Sequence, residues 1–180
     1  MNPAICGCMA AACLLAACRP AVEFAPPPQK TLPPGPERPV LFPVVDMANL
    51  RADGFIVRDV LLPTSGEIFR WTRRRPEFRI WPEDAAGHVL EFQAGVPEET
   101  FSTTGAVTVA AFVNGDNVST HRFERPGTLR FSDPVAEEVV RRFTPARVWL
   151  EIAPAYPDPR THESLGVLLY SIGLTRVGEK

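Results

Sequence analysis

Ala106-Val107-Thr108-Val109-Ala110-Ala111-Phe112-Val113, then Asn114-Gly115-Asp116, then Val118-Ser119-Thr120-His121-Arg122-Phe123 is the stretch whose reading decides the fold. Both flanking runs are rich in β-branched and aromatic residues. They change character with period two, as a strand showing alternate side chains to opposite faces requires. Asn and Gly between them tolerate the positive φ angles of a tight turn, so the whole stretch predicts a β-hairpin.

The same pattern extends outward in both directions. Phe55 to Leu62, Glu67 to Trp71, Phe78 to Trp81, His88 to Phe92, Thr128 to Phe131, Arg147 to Ile152 and Leu165 to Leu174 are short β-type runs separated by turn residues. Nine such runs predict an all-β domain, an antiparallel β-sandwich of jelly-roll type. One short helix is expected after Asp133. That residue would be the N-cap, with Pro134 in the first position, Glu137 and Glu138 in the early turns and Arg141 and Arg142 at the end. It would pack Val139, Val140 and Phe143 against the sandwich.

Composition excludes several kinds of chemistry. All four cysteines, Cys6, Cys8, Cys13 and Cys18, fall at the N-terminus, so the later chain has no disulfide framework, Cys-ligated zinc or thiol nucleophile. His88, His121 and His162 are not at ligand spacing, and no metal or cofactor is expected. A net charge of −2 gives no global basic field for nucleic acid. No nucleophile elbow, phosphate loop or dinucleotide fingerprint occurs, and the neighbouring acids Glu98-Glu99 and Glu137-Glu138 suit a solvated surface. The expectation is a protein that is not an enzyme.

From Pro3 to Ala17 the chain has no charged side chain, and at about fifteen residues the run is shorter than the roughly 20 that span a bilayer. It has the length of a signal-peptide core, although Met1-Asn2-Pro3 lacks the usual basic side chains. Leu14-Leu15-Ala16-Ala17-Cys18 resembles the bacterial lipobox. That resemblance implies a signal peptide over residues 1–17, removed on processing, and lipidation with palmitate-type acyl chains at Cys18. Arg19 rather than Asp after the cysteine implies sorting to the outer membrane. Two or more acyl chains, at about 0.8 kcal/mol per buried methylene, would hold a domain on a membrane.

Residues 18–43 then form a lipid-anchored linker. Nine of the 24 residues from Pro20 to Pro43 are proline, and such a segment favours extended polyproline II, a semi-rigid stalk. Residues 44–180 are left as one β-sandwich domain of ordinary size.

Strand phase nominates the ligand-binding candidates. In Arg147 to Ile152, Val148, Leu150 and Ile152 share the apolar face, which leaves Trp149 with Arg147 and Glu151. Trp81 likewise lies in phase with Arg79, whereas Trp71 shares the phase of Phe69 and is expected in the core. Aromatic residues on a polar face suit stacking on sugar rings or on a partner protein. Tyr156 and Arg160 are added because Pro154, Pro157 and Pro159 stiffen their loop, and a stiff loop loses little entropy on binding. Arg73-Arg74-Arg75 is expected in a charged hairpin loop able to meet phosphate headgroups or anionic polysaccharide.

Gly66-Glu67-Ile68-Phe69-Arg70-Trp71-Thr72, Val113-Asn114-Gly115 and Leu165-Gly166-Val167-Leu168-Leu169-Tyr170-Ser171-Ile172-Gly173-Leu174 together resemble a jelly-roll, carbohydrate-binding-like domain associated with bacterial glycosyltransferases and cell-surface polysaccharide proteins. Thr161-His162-Glu163-Ser164 stands where that pattern carries an acid and an arginine, with Asp158 and Arg160 just upstream. The resemblance implies a non-catalytic glycan-binding module of the cell envelope, anchored through Cys18 on the periplasmic or surface side. The alternative is an envelope protein-interaction or assembly lipoprotein using the same aromatics on another protein.

Overall fold

A computed structural model describes residues 43–63, 66–82, 87–141 and 144–176, all within the unit Arg38–Lys180. The signal peptide, Cys18 and all of the linker but Pro43 lie outside the described residues. The elements, in chain order, begin with β1 (Val44–Asp46), a 3-10 turn (Leu50–Gly54), β2 (Ile56–Val60), β3 (Arg70–Ile80), β4 (His88–Val96) and α1 (Glu98–Thr104). They continue with β5 (Val107–Val113), β6 (Asp116–Phe123), β7 (Gly127–Val135), a second 3-10 turn (Glu137–Val139), β8 (Ala146–Ala153), β9 (Tyr156–Pro157), β10 (Ser164–Leu165) and β11 (Leu168–Arg176).

Nine of these strands form one antiparallel array in the order β6-β5-β8-β3-β11-β4-β7, with β2 also on β3 and β1 also on β11. The array folds over on itself at β3. The first residues of β3, Arg70 and Trp71, pair with Leu169 and Leu168 of β11, while Glu77 to Ile80 pair with Trp149 to Ala146 of β8. This makes an antiparallel β-sandwich, the expected class. Val107, Val109, Ala111 and Val113 of β5 and Val148, Leu150 and Ile152 of β8 project inward from one sheet. Leu90, Phe92, Ala94 and Val96 of β4 meet them from the other, all 2% exposed or less.

The decisive hairpin forms as expected. Val113 pairs with Asp116 across a two-residue turn in which Asn114 and Gly115 take φ of 52° and 115°. Asn114 also accepts from the Arg147 amide and donates to the Val139 carbonyl, tying the turn to its neighbours.

Three expectations are corrected. The helix is not after Asp133: β7 continues to Val135, and the Asp133 carboxylate takes the Ser119 hydroxyl and His121 Nε2 instead of capping a helix. The α-helix is Glu98–Thr104, where two acids favour the first turn and Gly105, at φ 71°, ends it. Arg73-Arg74-Arg75 is not a hairpin loop, because the two flanking runs are one eleven-residue strand. Trp71 is half-buried rather than in the core; its neighbours Arg70 and Thr72 are the buried residues. That inversion holds because the polar groups are satisfied. The Arg70 guanidinium donates to the carbonyls of Met47 and Asn49 and pairs with Asp53, and the Thr72 hydroxyl donates to the Val167 carbonyl.

In β11 the register with β4 shifts between Leu169 and Ser171. This bulge re-phases the strand, so that Leu169, Ile172 and Leu174 all reach the core and Tyr170 is left half-exposed.

Candidate functional site

The proposed ligand residues occupy different settings. Trp149 lies on the outer face of β8, as its phase predicts, but only 6% of it is exposed. Phe112 of β5 stacks on it with ring centres 5.0 Å apart and planes 2° from parallel. The guanidinium carbons of Arg147 and Arg75 lie 5.2 Å and 5.3 Å from the ring centre. Its faces are thus engaged within the protein, which is the correction to an open stacking platform. Trp81, half-buried, follows the last residue of β3.

Tyr156 is buried, and its hydroxyl sits 3.3 Å from Glu99 of α1. Burial, reinforced by the Glu99 carboxylate, pushes that hydroxyl's pKa above its ordinary value. Asp158 accepts the Arg160 amide and the Thr161 hydroxyl, which hold its carboxyl below the usual range. Arg160 is exposed beside it, Nε 3.7 Å from the carboxylate. Tyr156 in β9 and Arg160 in the β9–β10 loop therefore have partners separate from those of Trp149.

The arginine triplet also divides. Arg73 pairs with Glu163 at 2.6 Å and Arg75 with Glu151 at 3.4 Å, so two of its three charges are answered inside the fold.

One arrangement resembles the ingredients of a hydrolase without their order. Ser119 donates to Asp133 at 2.8 Å, and His121 Nε2 lies 2.7 Å from the same oxygen. Both serine and histidine are spent on the carboxylate, whereas nucleophile activation needs the serine on the histidine. The three bridge edge strands β6 and β7, where His121 also stacks on Phe131 at 4.2 Å. Among the described residues no group of three or more His, Cys, Asp or Glu is placed to hold a metal ion.

A groove of about 380 Å³ opens where β4 ends and β7 and β11 begin. Its apolar walls are Leu168 and Tyr170 with Pro97 and Pro126; Glu98 and Thr128 add polar groups. Gly95, Val96 and Gly127 complete the lining. A methyl group on Gly95 would stand 2.9 Å from the Thr128 hydroxyl and 3.4 Å from Tyr170 Cε2, so glycine is what lets those side chains close in. Phe69 braces Tyr170 edge-on with ring centres 5.6 Å apart. Sequence reasoning missed this site because Tyr170 faces it through the β11 bulge, and Gly95 and Thr128 are brought together only by pairing of β4 with β7.

No protein-family model matches the chain. No curated protein matches it either. Solved structures similar to it include carbohydrate-binding modules. One is the CBM36-1 domain of a multidomain xylanase from the hindgut metagenome of Trinervitermes trinervoides, at TM-score 0.46 and 5% identity over 76% of this chain and 98% of that one. Another is a family 35 carbohydrate binding module from an environmental isolate, at 0.44 and 13% over 75% and 93%. A third is a family 35 module from Clostridium thermocellum, at 0.41 and 10% over 65% and 88%.

Proposed function

We propose that the chain is a lipid-anchored envelope protein whose folded domain is a non-catalytic, carbohydrate-binding-like module, with the groove at Tyr170 as its glycan seat. The observation that carries the ligand class is the division of the groove lining. Leu168, Tyr170, Pro97 and Pro126 offer apolar surface, and Glu98 and Thr128 offer short polar groups beside it. A sugar has the same division, with C–H faces that pack on an aromatic and hydroxyls that take hydrogen bonds. Glu98 is the one carboxylate among the lining residues, whereas glycoside hydrolysis ordinarily uses a pair about 5–9.5 Å apart. That supports binding without turnover. The anchor at Cys18 and the stalk rest on the sequence Leu14 to Pro43.

The test is titration of the full chain with envelope polysaccharide fragments, alongside Gly95→Ala. Binding is expected for the wild type. The variant, whose new methyl displaces the Thr128 hydroxyl and presses against Tyr170, should bind at least about tenfold more weakly, or about 1.4 kcal/mol. A broad glycan array with no response, or a Gly95→Ala variant that binds undiminished, overturns the assignment.

A further inference from the structure

The outer face of β3 and β8 carries a charge arrangement that the groove leaves unused. Arg79 and Arg147 stand directly opposite each other in the β3–β8 register. Like charges at such positions repel. Arg147 is committed to Glu77 and to the Trp149 ring, and Arg58 shares that glutamate at 2.9 Å. Arg75 is committed to Glu151 and the same ring. Arg79 is exposed; its backbone N–H donates to the Phe55 carbonyl, but its guanidinium has no hydrogen bond or ion pair among the described residues. Four arginines thus meet two glutamates on one face of a chain whose net charge is −2. Within that face the indole Nε1 of Trp149 has no acceptor.

We infer that this face, centred on Arg79 opposite Arg147, is a docking surface for an acidic protein segment lying extended along β3. Charge complementarity selects an anion. Guanidinium edges, planar and forked, match carboxylates in pairs of hydrogen bonds. The covered ring of Trp149 argues against a sugar here, since stacking needs an open aromatic face. Spacing favours a polypeptide: Arg75 and Arg79 are four residues apart on β3, about 13.6 Å, which is the interval between every second same-side residue of an extended chain. This inference uses another sheet and a ligand of different charge, and it stands whether or not the groove binds glycan.

The experiment is fluorescence anisotropy of labelled poly-L-glutamate with the full chain at about 50 mM salt, where surface charges are weakly screened. Polygalacturonate serves as the same charge on a sugar backbone. Arg79→Gln should weaken poly-L-glutamate binding at least tenfold, with Arg79→Lys intermediate because it keeps the charge and loses the fork. Arg125→Gln, an exposed arginine in the β6–β7 turn, should stay within threefold of wild type, as should Gly95→Ala. Arg79 is exposed, and unchanged melting of its variants checks that they fold. Wild-type affinity in Arg79→Gln, an equal loss in Arg125→Gln, or tighter binding of polygalacturonate than of poly-L-glutamate would each overturn the proposal.

Discussion

Arg147 grips Glu77 across neighbouring strands with two parallel hydrogen bonds, Nε to Oε1 at 2.5 Å and Nη2 to Oε2 at 2.9 Å. The glutamate side chain is 7% exposed while the arginine is 56% exposed, so a nearly buried carboxylate is neutralised by a cation that stays hydrated. A buried carboxylate without such a partner is costly. The pair is therefore a stabilising element of the same face that carries Trp149.

Stability should fall in acid for this reason. The hydrogen-bonded Arg147 guanidinium holds the Glu77 carboxyl below its ordinary 4.5, against the opposing effect of burial and with help from the charge of Arg58. A carboxyl lowered in the folded state contributes stability that is complete above the unfolded value and is withdrawn as pH drops through the folded one. Urea midpoints of the wild type should thus decline below about pH 4.5. Glu77→Gln should cost about 1–2 kcal/mol at pH 7, and that deficit should shrink toward pH 3. A deficit that does not change with pH would remove the charge from the explanation.

Phe112 is the lid of Trp149, and the two rings lie nearly parallel. Phe112→Ala should cost about 2 kcal/mol, below the value for a fully buried phenylalanine because Phe112 is half-buried. It should also shift the emission of Trp149 to longer wavelength as water reaches the indole. In a Trp71→Phe, Trp81→Phe background that shift is read from Trp149 alone, and unchanged emission would mean the arginines suffice as cover.

Much of this architecture is legible locally, and the rest depends on residues far apart in sequence. The hairpin at Asn114-Gly115 and the inward phase of Val148, Leu150 and Ile152 follow from adjacent residues, because period two and turn chemistry are local properties. The burial of Arg70 is not local: its partners Met47, Asn49 and Asp53 lie 17 to 23 positions away. Trp149 shares the phase of Arg147 and Glu151 on β8, yet cover for its ring comes from Phe112 and Arg75 on two other strands. Asp133-Pro134 has the local grammar of a helix start, which the hydrogen bonds from Ser119 and His121 override. The groove is not local for the same reason, since the bulge that turns Tyr170 outward has no signature in Leu169-Tyr170-Ser171.

The membrane address has a direct chemical test. If Cys18 is the acylated residue, Cys18→Ser should leave the unprocessed precursor and abolish incorporation of labelled palmitate in cells. Cys13→Ser, which keeps Leu14 to Cys18 intact, should be processed and labelled as the wild type is. Normal labelling of Cys18→Ser would refute the anchor.

Gly173 offers the sharpest steric prediction. It pairs with Val44 where β1 crosses β11, and the Leu174 amide donates to the Pro43 carbonyl at 2.8 Å. A methyl group at Gly173 would collide with that Pro43 oxygen and come within 2.7 Å of Val44 Cα. Both obstacles are backbone, so no rotamer change relieves them, and β1 must leave β11. Val45, 2% exposed in the core, would go with it. Gly173→Ala should therefore cost about 3 kcal/mol, at the upper end of overpacking penalties, and lower the melting temperature by about 10 °C. Gly54→Ala, where a methyl meets nothing within 4 Å, should be neutral or slightly stabilising. Amide exchange at Val45 should accelerate in the first variant and not in the second. If both variants melt together, β1 is not held at Gly173 in the way its backbone contacts require.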